Sequence, residues 1–373
     1  MKPIAFASVL LMVAGVAFAQ GTTSIGGYGE LHFNKNTYSP GKPEKDRVGL
    51  FDFHRFVLYV GHDFNDWVSF KSELELEHTQ VKSSNSQSEV ALEQAFIDLK
   101  FSKPIGFRAG IFLIPVGFIN EFHEPNTFNG VERPSVDRVL IPTTWREAGI
   151  GIYGEVMEGI SYRLYYVAGL NPQKMNEKGI RDTRQSGYYS QADDMALTGR
   201  IEFLPLPELK TGFSFYTSSL ELNSVYADTL SGSRFTLLEG DVRYQVGDLS
   251  LKAVGVYSMV SEATKLVTEL KKNIGDSQMG YYVEAGYNIL PAFLPDSEQS
   301  LTLFTRFEEY NTQYSLSAPA VKVAGTDVNE FTAGITWLPH PNVALKADYQ
   351  WIDASGSPDM TQKLNLGIGY YFY

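Results

Sequence analysis

The sequence predicts an all-β chain: a transmembrane antiparallel β-barrel of about 16 strands with an inward-folded third external loop. Three features predict it. Apolar and polar side chains alternate with period two, the connections alternate between short and long, and the chain is rich in aromatics without being hydrophobic overall. Among 373 residues there are 24 Phe, 22 Tyr, 4 Trp and 33 Gly. Mean hydropathy is nevertheless only -0.16. That balance suits strands that are apolar on one face and polar on the other.

Charge and cysteine content narrow the possible functions. With 31 basic against 43 acidic residues the net charge is -12, which leaves no basic face for nucleic acid. The absence of cysteine removes disulfide scaffolds, thiolate metal sites, cysteine nucleophiles and lipid-modified cysteine anchors.

At the amino terminus, Lys2 precedes an apolar run from Ile4 to Phe18 that closes on Ala17-Phe18-Ala19, a small-x-small cleavage pattern. Residues 1–19 therefore read as a secretory signal peptide, and 20–373 as the exported barrel. No later stretch approaches the roughly 18 uninterrupted apolar residues that a membrane-spanning helix needs.

Period-two alternation then marks the strands. Val68, Phe70, Leu74 and Leu76 share one face, with Ser69, Lys71, Glu73, Glu75 and Glu77 on the other. Leu197, Ile201 and Phe203 alternate with Thr198, Arg200 and Glu202. The carboxyl-terminal run sets Leu364, Leu366, Ile368, Tyr370 and Phe372 against Lys363, Asn365, Gly367, Gly369 and Tyr371.

In order, the predicted strands are 24–34, 50–62, 66–78, 90–101, 106–114, 146–157, 160–170 and 195–204, then 209–218, 234–245, 249–260, 279–290, 300–311, 329–338, 343–352 and 363–373. Most have about the length of a tilted strand that crosses a bilayer. Seven short connections alternate with eight long ones, as tight periplasmic turns and extended external loops require. The third long connection, 115–145, is the longest. Trp67 and Trp337 fall at the periplasmic strand ends, and Trp145 and Trp351 at the outer ends, the expected positions of an interfacial aromatic belt.

If the apolar faces meet outer-membrane lipid, the charged faces must enclose water, and a sixteen-stranded barrel is wide enough for that. The expected inner wall includes Lys71, Glu73, Glu75, Arg108, Arg306 and Glu308. Basic and acidic residues are mixed along it, so a salt-bridged wall network is favoured over a stripe of one sign. The third loop and the start of the next strand supply Glu132, Arg133, Asp137, Arg138, Arg146 and Glu147 as candidate constriction and selectivity residues. Arg133 and Arg138 are the preferred selectivity pair, opposed by Glu73 and Glu75. Salt bridges that merely fix the loop are the competing reading.

The segment Arg133 to Glu155, RPSVDRVLIPTTWREAGIGIYGE, resembles the constriction-loop and following-strand signature of the phosphate-selective porin family. EQAFIDLKF (Glu93 to Phe101), RAGIFLIPVG (Arg108 to Gly117) and TRFEEYNTQ (Thr305 to Gln313) support the resemblance. It implies a sixteen-stranded outer-membrane porin, commonly a homotrimer, for passive diffusion of ions and small hydrophilic solutes, with a possible anion or phosphate preference. An arginine ladder and a lysine-rich loop collar, expected of a phosphate-specific member, are not evident in the sequence.

Other motifs carry less. Gly149 to Gly154 fits G-x-G-x-x-G formally, but it continues a strand pattern and lacks the strand-turn-helix context of a dinucleotide site. Its glycines read as room for wall bending or close packing of the loop. The histidines His32, His54, His62, His78, His123 and His340 are scattered, with no H-E-x-x-H, and there is no G-x-S-x-G elbow. No enzyme activity, cofactor or metal is expected. The alternatives are a plugged structural or adhesive barrel and, more remotely, a barrel hydrolase.

Overall fold

Sixteen antiparallel strands close on themselves, each paired with its sequence neighbour and the last with the first. Closure leaves no unpaired edge, as hydrocarbon surroundings demand. The computed structural model describes residues 21–78, 90–221 and 229–373, so the expected signal peptide, 1–19, lies outside the described residues.

The strands are β1 (Thr22–Tyr38), β2 (Leu50–Asp63), β3 (Val68–Glu77), β4 (Val90–Ser102), β5 (Ile105–Leu113), β6 (Arg146–Met157), β7 (Ile160–Ala168) and β8 (Met195–Leu206). There follow β9 (Leu209–Ser219), β10 (Arg234–Val246), β11 (Leu249–Ser261), β12 (Ser277–Asn288), β13 (Ser300–Ser315), β14 (Asp327–His340), β15 (Val343–Ala354) and β16 (Thr361–Phe372). All 16 expected strands are present. Three short helices lie in the long connections: α1 (Phe118–Glu121), α2 (Ser135–Val139) and α3 (Ala263–Leu270).

Alternation sorts the side chains into an outer and an inner face. On β8, Leu197, Ile201 and Phe203 are 41%, 49% and 46% exposed, whereas Thr198, Arg200 and Glu202 between them are buried. The first set is the lipid surface; the second is the inner wall. Trp67 and Trp337 are also exposed, in keeping with an interfacial position. Trp145 departs from that expectation. It is fully buried, its ring centroid 4.4 Å from that of Tyr216 on the inner face of β9. Asn120 accepts its backbone N–H at 2.7 Å, so Trp145 belongs to the packing of the third long connection, not to the aromatic belt.

The inner face is also less uniformly ionic than the alternation suggests. Toward the outer end of β7–β12 its inward positions are apolar: Tyr165, Val167, Tyr216, Phe235, Leu237, Val254, Val256 and Tyr282. Against them pack Ile114, Val116, Ile119, Val136, Leu140 and Ile141 of the third connection, Leu170, Met175 and Ile180 of the fourth, and Ala263, Leu266 and Val267 of α3. These three positions of α3, at i, i+3 and i+4, form a helical stripe too short to stand out in the sequence.

Candidate functional site

The other side of the third connection, residues 114–145, is polar, and its hydrogen bonds run to the charged inner wall. Val136 donates its backbone N–H to Glu308 on β13 at 3.0 Å, and Ser135 its hydroxyl to Glu330 on β14 at 2.8 Å. Asn129 donates to Glu284 on β12 at 3.0 Å, and Asn34 on β1 donates to Glu132 at 3.1 Å. Gly369 on β16 makes the close approach possible, because a Cβ there would overlap Pro125 of the connection. The glycines of the G-x-G-x-x-G match serve a different neighbour: Gly149 and Gly151 lie within β6 and face the backbone and the Tyr165 ring of β7.

The six charged residues expected at a constriction separate into two groups. Glu132, Arg133 and Arg138 line a cavity of about 250 Å³, together with Glu30, His32, His54, Arg55, Glu77, His78 and Arg181. Asp137, Arg146 and Glu147 are buried where the connection meets the wall. Arg146 donates to Glu93 at 3.1 Å, and Glu147 accepts the backbone N–H of Gln185 at 2.9 Å.

Within the cavity the cations are unevenly partnered. Arg55 is committed to Glu75 at 3.0 Å and Glu30 at 3.5 Å. His32 lies 3.0 Å from Glu30 and 3.4 Å from Glu132. Among the described residues Arg133 donates only to the His123 carbonyl, at 3.4 Å, and Arg138 to the Ser135 hydroxyl at 3.1 Å. Arg181 donates to the carbonyls of Arg138 and Thr143 at 3.0 and 2.7 Å. Among the described residues, none of these last three guanidiniums is in an ion pair.

Arg181 and the nearby Arg184 escaped the sequence reading. Arg184 donates to the carbonyls of Pro142 and Thr144 at 2.7 and 3.0 Å, so the pair fastens the fourth connection to the third. Their i, i+3 spacing within a long loop was the only signal available.

Electrostatics in the connections follow from burial. The Arg181 pKa is lowered by burial and then by the cations of Arg184, Arg138 and Arg133, with Glu77 acting weakly the other way. Burial also acts against the charge on Glu132, but the His32 partnership outweighs it and holds that carboxyl well below the usual range. Asp137 has no compensation of that size: burial, then the neighbouring Glu308 carboxylate, push it up to about 8. For His123, burial and Arg133 disfavour the cation, yet Glu73 and Glu93 prevail and raise it to about 10.

The expected wall residues form networks. Arg306 donates to Glu308 at 2.7 Å and to Glu284 at 3.2 Å, and Arg108 reaches both oxygens of Asp98 at 2.8 and 2.9 Å. Glu73 accepts from Gln94 at 2.7 Å, while Glu75 faces Arg55. Glu73 and Glu75 are thus engaged elsewhere and do not pair with Arg133 or Arg138. Lys71 borders a second cavity, of about 370 Å³, with Glu73, Gln94 and His123.

Comparison with known proteins agrees with this architecture. The family described as phosphate-selective porin O and P matches residues 25–206. An uncharacterized protein of Aquifex aeolicus (strain VF5) is 39% identical over 338 residues, covering 87% of this chain and 74% of that one. Among solved structures, OmpF of Salmonella typhi in complex with daunomycin aligns with a TM-score of 0.61 at 12% identity, over 95% of this chain and 98% of that one. The anion-selective porin of Comamonas acidovorans aligns with a TM-score of 0.57 at 11% identity, over 94% and 100%. The closed barrel, its lipid-type outer face and these matches lead to one conclusion: residues 25–206 match the phosphate-selective porin family, and the chain is an outer-membrane porin, a barrel for the passive diffusion of ions and small hydrophilic solutes.

Proposed function

We propose that residues 115–145 fold inward as the constriction of this porin and that the permeants it favours are small anions, phosphate-like oxyanions among them. One observation carries the reading: Arg133, Arg138 and Arg181 border one cavity without a carboxylate partner. A guanidinium matches an oxyanion with two parallel hydrogen bonds, and because the carboxylates that also border the cavity, Glu30, Glu77 and Glu132, face Arg55 or His32, the three arginines are left to bias permeation at a narrow point. The net charge of the whole chain, -12, opposes that bias only weakly, because charges more than about 10 Å away are screened at ordinary salt. The anion-selective porin from Comamonas acidovorans has the same fold, so the architecture is compatible with anion preference. Glu132 positions the loop through His32 and Asn34, and Arg146 and Glu147 anchor it. The remaining assignments are a homotrimer, export directed by residues 1–19, and no catalysis.

The test is ion selectivity in planar bilayers under a salt gradient. Arg133→Glu combined with Arg138→Glu should move the reversal potential toward cations. An unchanged potential in the folded double variant would reduce both residues to scaffolding and overturn the proposal.

A further inference from the structure

Where the third connection meets β3 and β4, three ligand-type atoms converge. His123 Nε2 lies 3.7 Å from Glu73 Oε1 and 3.5 Å from Glu93 Oε2. His123, Glu73 and Glu93 are 2%, 1% and 0% exposed, and none of these three atoms has a hydrogen-bond partner. A proton on Nε2 places the imidazole within ion-pair distance of both carboxylates, but among the described residues neither contact is a hydrogen bond, so three buried polar atoms stay poorly satisfied.

The surrounding bonds fix which atoms point inward. His123 Nδ1 lies 3.1 Å from the Asn120 carbonyl, which can only accept, so Nδ1 carries a proton, and a metal ion would displace the Nε2 proton that faces the two carboxylates and take the lone pair there. The second oxygen of Glu73 is held by Gln94 at 2.7 Å, and that of Glu93 by Arg146 at 3.1 Å. Each potential ligand is therefore oriented by an outer partner, the arrangement that metal-binding histidines and carboxylates require. Ligand bonds of about 2.0–2.2 Å in tetrahedral geometry put neighbouring ligand atoms about 3.3–3.6 Å apart, close to the separations seen here.

We propose that Glu73, Glu93 and His123 bind a divalent first-row transition-metal ion such as zinc, which ties the third connection to β3 and β4. One imidazole with two carboxylates suits such an ion, and two negative charges match its charge. The cavity of about 370 Å³ that includes Glu73 and His123 also includes Glu121 and Glu124, giving access and room for water as a further ligand.

A second grouping, Asp52, His54 and His78, offers similar residue types but the wrong proton inventory. Arg55 can only donate, and it lies 3.0 Å from His54 Nε2, so Nε2 is bare and the proton sits on Nδ1 toward Asp52, 3.1 Å away. Metal at Nδ1 would move that proton to Nε2 and set two donors against each other. This triad serves as the internal control.

The test is the zinc content of purified, detergent-solubilised protein after equilibration with Zn²⁺ and removal of the excess, with heat-modifiable gel mobility as the check on folding. It requires no current measurement, so it stands or falls separately from the anion-selectivity proposal. The wild type should retain about one Zn²⁺ per chain, as a three-ligand site demands. His123→Ala should lose it, the volume-preserving Glu73→Gln and Glu93→Gln should lose most of it, and Gln94→Leu should weaken binding about 10–100-fold. His54→Ala should retain it. Zinc absent from the wild type, or retained in folded Glu93→Gln and His123→Ala, would overturn the proposal.

Discussion

The two sides of the third long connection are held by different physics. Toward β7–β12, Ile114, Val116, Leu140, Ile141 and Trp145 enter an apolar cluster shared with the fourth connection and α3. Toward β1, β2 and β12–β15, the same connection meets carboxylates, histidines and arginines. Apolar burial is strong and non-directional, at roughly 25 cal/mol per Å². It can fix the loop while leaving some of its cations without carboxylate partners, and that is the state of Arg133 and Arg138. The comparison teaches that anchoring and selection need not compete for the same residues.

The largest expected effects fall on the buried networks at either side. Arg306→Ala would leave Glu308 buried without its cation and Glu284 with Lys252 alone, a loss of about 3–5 kcal/mol in unfolding stability measured in urea. Trp145→Ala should cost a similar amount, about 3–5 kcal/mol, through the cavity it leaves, while the ion preference of the folded channel stays that of the wild type. A shifted preference in that variant would erase the distinction between the two sides.

A smaller effect comes from Asp137, which sits between the sides, near Tyr282, Glu308, Arg306 and Asp241. Its folded pKa of about 8 lies above its ordinary 3.8, so the protonated carboxyl is the form that the folded state favours. Its contribution is complete below about pH 4 and is lost as the pH rises through about 8. Asp137→Asn should flatten the fall in urea midpoint between those limits; an unchanged slope would place the pH dependence on other groups. The smallest stability change is expected from Arg133→Gln, within about 0.5 kcal/mol, accompanied by a measurable loss of anion preference. A large stability loss there would return Arg133 to an anchoring role.

The barrel was legible in the sequence because a strand exposed to lipid on one face writes its period directly into side-chain polarity, as in Leu197 to Phe203. What fills the inner face was less so. Trp145 was placed in the aromatic belt because a residue at a strand end has no alternation to reveal its side. A signal for the apolar patch did exist: Tyr165, Leu237 and Val256 interrupt the polar face beside Tyr166, Leu238 and Tyr257 on the outer face. Two apolar faces on one strand mean that something covers the inner one. The contacts of Arg181 with Arg138 and Thr143 join residues about 40 positions apart, which no local pattern records.

Anion preference depends most on guanidiniums without carboxylate partners facing a water-filled path. Single-channel recording of the wild-type protein in a planar bilayer under a salt gradient addresses it directly. Stepwise openings that reverse near the anion equilibrium potential are predicted. A silent bilayer, or reversal near the cation potential, would contradict it.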